Sequence, residues 1–320
     1  MRIFIDTTCL NYTFSGIQNF TINLIREFKE SGHEVREIKK PFLNFLFEKG
    51  DVYLGPDGRV PFIKKVKIIS TIIHDVCFET NPETFPLKAI KIARKKVKKA
   101  LLKSDIIFTP SNFTKKMMEK FYGVRDKVHV VYPGVNIPDK LKEVKNLPEK
   151  FFLFVGTVQK RKNCLNLVRA FKELNLKDVH LVLAGEEGFG AEEIKKETGR
   201  NVIWLKRRFS QEEIFYLYKK SLALLFPSFC EGFGLPVIEA MISKTPCIAS
   251  PLPVFKEFAG DDIFYFKGFD KQDIKQGIIK FLDENQKKIE RKTSNAFERA
   301  KNFTWEKTAS NFLKKWKEVI

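Results

Sequence analysis

The stretch Phe226–Ser250, FPSFCEGFGLPVIEAMISKTPCIAS, decides the fold. The run LALLFP (222–227) that leads into it has the length and unbroken apolar character of a buried parallel strand. CEGFG then reads as a glycine-bearing turn, and Leu235-Pro236 opens a helix whose Val237, Ile238, Ala240 and Met241 pack inward. Pro236 suits the first helical turn because an N–H there has no intrahelical acceptor to lose, and Gly232 and Gly234 let the backbone approach a ligand. The N–H groups and positive dipole end of such a helix start suit phosphate. Glu231 before the helix and Glu239 one turn inside it, spaced E-x7-E, direct two carboxylates at the same mouth. A bare phosphate is repelled by that pair. The spacing therefore points to a ligand that carries both phosphates and hydroxyls.

The string EGFGLPVIEAM resembles the signature of family 4 of the retaining glycosyltransferases, which have the GT-B fold. The resemblance implies an α/β chain of two doubly wound, Rossmann-like domains facing across a cleft. It also implies that Glu231 contacts the donor sugar, Glu239 the ribose hydroxyls, and Phe233, Gly234 and Leu235 the phosphates through backbone N–H groups.

Working outward, the length of 320 residues exceeds what one core usually organises, so two domains are expected. A hydrophobic content of 43% is ample for both cores. The five cysteines are widely spread, odd in number and form no C-x-x-C pair, which argues against a disulfide framework or a zinc site and for a reducing compartment. No apolar run has the length of a membrane span, and Met1 leads straight into RIFID, so a cytoplasmic protein is expected. The net charge of +19 favours a polyanionic partner: a membrane, nucleic acid or a phosphate-rich substrate. No recognised nucleic-acid module or aromatic-basic signature accompanies it, so nucleic acid is not expected.

In the first half, RIFID reads as a strand and a helix is expected near Phe20 to Ser31. The G-x-G-x-x-G of dinucleotide-binding dehydrogenases is absent at this point. SGIQNF instead resembles the family's T-G-I-G-x-Y loop, which implies that Gly16 approaches the donor. The residues Phe42, Leu43, Phe45, Leu46 and Phe47 read as core. DVYLGPDGRVP resembles the family's D-V-x-H-x-P-N segment with Leu54 in place of histidine. VKIISTIIHD is a β-branched strand ending at His74-Asp75, and the resemblance of I-H-D implies that His74 bonds a sugar hydroxyl or the phosphate, with Asp75 free to orient the loop.

The helix that follows carries Leu87, Ile90, Ala93, Val97 and Leu101 at helical spacing. Between Lys88 and Lys103 it bears eight cations and no acid, which we read as a peripheral contact with anionic lipid at the inner face of a membrane. Ser111 is the expected cap of the next helix, and the polar, proline-bearing segment 137–150 reads as a linker, placing the domains at 1–148 and 149–303. The closing amphipathic helix, 304–320, returns to the first domain by resemblance.

The second half restarts with the strand FFLFVGT, and G-T-V-Q-K-R-K-N resembles the family's G-T-x-x-P-R-K-N. That places Arg161 and Lys162 on a donor diphosphate. Gly185 ends the next strand, near the nucleotide, and Lys206-Arg207-Arg208 stand where the family has glycine. The implied activity is transfer of a hexose, mannose by the lean of these motifs, from a nucleotide diphosphate sugar to a glycan or lipid-linked acceptor of envelope polysaccharide. His74, Glu231, Arg161 and Lys162 form the expected catalytic set. No D-x-D triad appears, so neither a metal nor another cofactor is expected. The alternatives are a sugar-nucleotide epimerase or phosphorylase of the same architecture, and a non-catalytic basic binding protein.

Overall fold

A computed structural model of the chain describes residues 1–11, 16–39, 49–61, 65–199 and 201–320. Phe42, Leu43, Phe45, Leu46 and Phe47 lie outside the described residues, as does Ser15 of the SGIQNF segment. The described residues divide into two compact units, one of Met1–Glu79, Leu87–Gly134 and Phe303–Ile320, the other of Thr80–Pro86 and Val135–Asn302. The segment 137–150 is part of the second unit, not a free tether. Lys142 N–H donates to Glu212 O at 3.3 Å, and Val144 is buried.

The first unit holds β1 (Arg2–Asp6), α1 (Gly16–Glu30), β2 (Glu34–Ile38), β3 (Gly50–Gly55), β4 (Val66–Ile72), the short α2 (Cys77–Thr80), α3 (Leu87–Lys103), β5 (Ile106–Thr109), α4 (Asn112–Tyr122) and β6 (Val128–Val130). Its six strands are all parallel, in the order β2-β1-β3-β4-β5-β6. Strands buried on both faces explain the continuous apolar runs of the sequence. Ser111 caps α4 through its side chain, which accepts from Thr114 N–H, and Gly123 closes it in the left-handed region at φ 64°. α1 begins four residues earlier than the apolar spacing predicts. The buried Gln18 amide donates to Cys9 O and Leu10 O, at 3.2 and 3.0 Å, and fixes that extra turn.

The C-terminal helix α12 (Trp305–Lys317) completes this unit's core. Phe312 lies 4.2 Å from Phe108 between ring centroids, and Trp316 packs against Phe28 at 5.3 Å. Gly134 has no room for a side chain, since a Cβ there meets Trp305 N at 2.2 Å.

The expectation of eight uncompensated cations on α3 is corrected. Arg94 forks onto Glu79, with its closest contact at 2.7 Å, and Lys96 bonds Asp57 at 3.0 Å. Both acids come from outside the helix, so the helix sequence does not display them.

The second unit holds β7 (Phe151–Val155), α5 (Cys164–Glu173), β8 (His180–Ala184), α6 (Glu192–Glu197), β9 (Val202–Leu205), α7 (Gln211–Lys220), β10 (Ala223–Phe226), α8 (Leu235–Ile242), β11 (Cys247–Ala249), α9 (Pro253–Ala259), β12 (Phe264–Tyr265), α10 (Lys271–Leu282) and α11 (Gln286–Ala300). Its six parallel strands run in the order β12-β11-β10-β7-β8-β9. Strand order reverses between β7 and β10 here, and between β1 and β3 in the first unit. In open parallel sheets the crevice for ligands opens beyond the strand ends at such a reversal.

Phe312 touches three other rings of the first core besides Phe108, so Phe312→Ala should destabilise that unit by about 3–5 kcal/mol. Urea unfolding followed by tryptophan fluorescence reads this through Trp305 and Trp316. A loss under 1 kcal/mol, on the order of an exposed substitution, would show that α12 is not part of that core.

Candidate functional site

The reversal between β7 and β10 brings two loops together. After β7 the chain makes a single 3-10 turn, Lys160–Lys162, and Asn163 enters the left-handed region at φ 59° before α5 begins. The Asn163 side-chain amide donates to Phe269 O at 2.7 Å, which holds this unusual backbone in place. From the β10 side, Phe229 N–H donates to Arg161 O at 3.0 Å. The two loops are thus joined main chain to main chain.

On that support Lys162 Nζ meets Glu231 Oε1 at 2.5 Å, and Arg161 Nη1 lies 3.4 Å from Glu231 Oε2. Arg161 also donates to Cys230 O at 2.8 Å, and its guanidinium carbon is 5.9 Å from the centre of the Phe85 ring. Lys162 Nζ stands 4.9 Å from the centre of the Phe226 ring. Lys162 and Glu231 are buried, at 8% and 6% exposure, so solvent screens this pair little. Burial works to raise the Glu231 pKa, but the Lys162 and Arg161 charges outweigh it and hold the carboxyl below its usual range. Burial lowers the Lys162 pKa against the pull of Glu231. One carboxylate therefore bridges two cations away from solvent.

Gly234 precedes α8 at φ 100°, and a Cβ on it meets Phe255 Cε1 at 2.4 Å. Glycine is thus required for backbone conformation and for space. Phe233 turns its ring inward onto Phe258, 4.7 Å away, so what it offers a ligand is main chain. Leu235 and Pro236 form the first turn of α8, where N–H groups have no intrahelical acceptor. Glu239 is set apart from Glu231: its partner is the Tyr218 hydroxyl, which donates to Oε2 at 3.0 Å. Burial pushes the Glu239 carboxyl up to about 7, against that hydrogen bond. The two glutamates of the E-x7-E spacing thus differ in ionisation as well as in partner, and Tyr218, 21 residues away, carries no motif that would mark it.

Gly185 ends β8 at φ 151°, and a Cβ there meets Gly156 O at 2.1 Å, so the ends of β7 and β8 are bare backbone. Trp204 Nε1–H donates to Gly185 O at 2.8 Å. The basic run after β9 is matched by acids: Lys206 pairs with Glu187, Arg208 with Glu186 at 3.0 Å, and Arg207 with Glu213 at 3.1 Å.

In the first unit, Gly16 is exposed and is the first residue of α1 instead of a loop residue. His74 follows β4. Its Nε2–H donates to Pro56 O at 2.7 Å, and its ring meets Phe20 edge-on at 5.3 Å. Burial lowers the His74 pKa, against the Pro56 bond and the Asp75 and Asp57 charges. With the proton on Nε2, Nδ1 offers a lone pair. Asp75 accepts from Cys77 N–H at 3.0 Å and so orients the loop. Leu54 is fully buried in β3.

A polar network at the β1/β3 reversal went unread in the sequence. Buried Asp6 accepts from the Tyr53 hydroxyl at 2.9 Å and from Thr8 N–H at 2.9 Å, and Arg59 Nη1 is 3.9 Å away. Asp57 takes Lys96 at 3.0 Å and Arg59 at 3.4 Å. The position of Asp6 at the end of the first strand was the available signal.

Residues 137–299 match the family described as "Glycosyl transferases group 1", and residues 64–138 match "Glycosyltransferase Family 4". The chain is 34% identical over 174 residues to the serotype-specific mannosyltransferase WbdA of Escherichia coli, covering 51% of this chain and 20% of that protein. It thus spans about a fifth of the length of that relative. It is 25% identical over 288 residues to the O-antigen chain mannosyltransferase B of Escherichia coli, covering 84% of this chain and 74% of that one. In fold it is similar to sucrose-phosphate synthase of Thermosynechococcus elongatus, with a TM-score of 0.78 over 99% of this chain and 98% of that chain at 16% identity. Two Rossmann-like parallel-sheet units are the architecture of GT-B glycosyltransferases.

Glu239 gives a pH test. Folded, its carboxyl keeps a proton to about pH 7; unfolded, it releases it near 4.5. The folded chain binds more protons between those values, so this group's contribution to stability is lost as pH rises from 4.5 to 7. Comparing urea midpoints at pH 5 and pH 7.5, Glu239→Gln should lose less stability than the wild type. Equal losses in the two proteins would place the Glu239 carboxyl in water.

Proposed function

The chain belongs to the group 1 glycosyl transferases, and from that premise we propose that it transfers a hexose from a nucleoside diphosphate sugar to an acceptor hydroxyl with retention of configuration. The observation that carries this reading is the buried Arg161–Lys162–Glu231 constellation at the β7/β10 reversal. As the glycosidic C–O bond breaks, negative charge grows on the departing diphosphate and the sugar becomes oxocarbenium-like. Arg161 and Lys162, with the first turn of α8, are fixed donors for that charge, and fixed donors in a dry site need no reorganisation at the moment of reaction. They are cations supplied by the chain itself, so the reading calls for no metal. Glu231 accepts from a hydroxyl of the sugar and Glu239 from the ribose. His74, whose Nε2 proton is committed to Pro56 O, acts through Nδ1 as acceptor from a hydroxyl instead of donor to a phosphate. For retention, the acceptor attacks from the face the diphosphate leaves, with a phosphate oxygen taking its proton.

Relatives named as mannosyltransferases make GDP-mannose the favoured donor and an O-antigen-like glycan or lipid-linked saccharide the favoured acceptor. A thermal-shift panel of UDP-, GDP- and ADP-sugars tests this, with GDP-mannose expected to raise the melting temperature most. Arg161→Ala should lower turnover about 100-fold, the scale of one lost transition-state donor. No shift with any donor, and no nucleoside diphosphate released on adding saccharide acceptors, would sink the reading.

The outer face of α3 supports a peripheral membrane site in the same reading. Leu87, Ile92 and Leu102 are 78%, 58% and 87% exposed, among the exposed lysines 88, 91, 95 and 98. Apolar side chains interleaved with ammonium groups suit the headgroup region of an anionic bilayer, each cation contributing about 1 kcal/mol. Replacing Lys88, Lys91, Lys95 and Lys98 by glutamate should reduce sedimentation with phosphatidylglycerol vesicles at least tenfold, and binding that survives unchanged rules the contact out. No described helix is long and apolar enough to cross a membrane.

A further inference from the structure

We infer that Glu231 is a built-in competitor for the diphosphate: it neutralises the cation pair when no donor is bound, so that the site takes a nucleotide sugar in preference to the bare nucleoside diphosphate. The inference rests on the donor-site reading above and adds a direction to it.

Each oxygen of the Glu231 carboxylate faces a different cation, Oε1 at 2.5 Å from Lys162 Nζ and Oε2 at 3.4 Å from Arg161 Nη1. A phosphate oxygen that approaches these two cations meets a carboxylate already in its place. The backbone that carries the cations is held in place. Arg161 is tied to Cys230 O, its own carbonyl accepts from Phe229 N–H, and Lys162 N–H donates to Gln159 O at 3.0 Å. What can move is the Glu231 side chain, which stands next to Gly232 in the CEGFG turn. Once displaced, a buried carboxylate needs new donors, because a buried charge left unpaired is strongly unfavourable.

The transferred sugar supplies hydroxyl donors to the displaced carboxylate, whereas the only hydroxyls of a bare nucleoside diphosphate are those of its ribose, which the donor-site reading gives to Glu239. After transfer the hydroxyls leave with the product, and the carboxylate's best remaining partners are again Lys162 and Arg161. Its return opposes the diphosphate still held there. The same side chain that orients the sugar therefore favours loading of donor and release of spent nucleotide.

Binding measurements on the full chain decide the matter. Isothermal titration with GDP, UDP and ADP and with their sugar conjugates should show wild-type protein binding its preferred nucleotide sugar at least tenfold more tightly than the matching diphosphate. In Glu231→Gln, the diphosphate should bind at least tenfold more tightly than in wild type, and the preference for the sugar conjugate should vanish. Inorganic pyrophosphate should likewise raise the melting temperature of Glu231→Gln more than that of wild type. A diphosphate that binds wild type as tightly as its sugar conjugate overturns the inference and leaves the donor site standing; this arm needs no variant and so survives a variant that fails to fold. Equal or weaker diphosphate binding by a folded Glu231→Gln overturns it as well. Absence of nucleotide binding by wild type removes the donor site and the inference together.

Discussion

The contact between Lys162 and Glu231 is the constraint on which the chemistry proposed for the second unit depends. Two opposite charges are taken out of water at the one place in the sheet where the strand order reverses. Such a pair adds little net stability, because its desolvation cost is comparable to its attraction, whereas removal of one partner is severe. In the proposed reading its value lies in what it leaves poised: cations held away from solvent, and a carboxylate that can exchange partners. The loops that carry them are fastened by main-chain hydrogen bonds and by the Asn163 amide, so the backbone that presents the charges is held at the strand ends of the sheet.

Parallel sheets account for the rest of the arrangement. The central strands of each sheet are buried and largely apolar, as β5, β7 and β10 show, whereas the edge strand β2 is charged and exposed, and the polar chemistry is displaced to the loops beyond the strand ends. Where two such ends come close, a side chain must be absent from one of them: a Cβ on Gly185 would run into Gly156 O. Gly234 does the same at the start of α8, where Phe255 fills the space a side chain would need. The glycines are therefore determined by contact as much as by dihedral angle.

Charge is less free than composition implies. The net charge of +19 gives the impression of an unpaired basic surface, yet Arg94, Lys96, Lys206, Arg207 and Arg208 all have acidic partners. Several of these pairs join residues far apart in the chain. On α3 the division is by face: Lys96 is half-buried and tied to the Asp57 loop, while the lysines at 88, 91, 95 and 98 share the outer face with three exposed leucine and isoleucine side chains.

Much of this was legible in the linear chain. The alternation of apolar runs with helical periodicity established two α/β units, and the strings EGFGLPVIEAM and RKN located Arg161, Lys162 and Glu231, because short-range spacing alone puts residues at strand ends and helix starts. The cap at Ser111 was equally local. What the chain could not reveal was which groups face one another. That Glu231 bridges the two cations, that Glu239 instead takes Tyr218 and holds its proton to about pH 7, that Asp6 gathers Tyr53 and Thr8, and that α3 gives up two of its charges to Glu79 and Asp57 are all outcomes of long-range packing. Burial and partnership determine the strength and ionisation of a charge, and both are properties of the neighbours that the fold assembles, so they appear only in three dimensions.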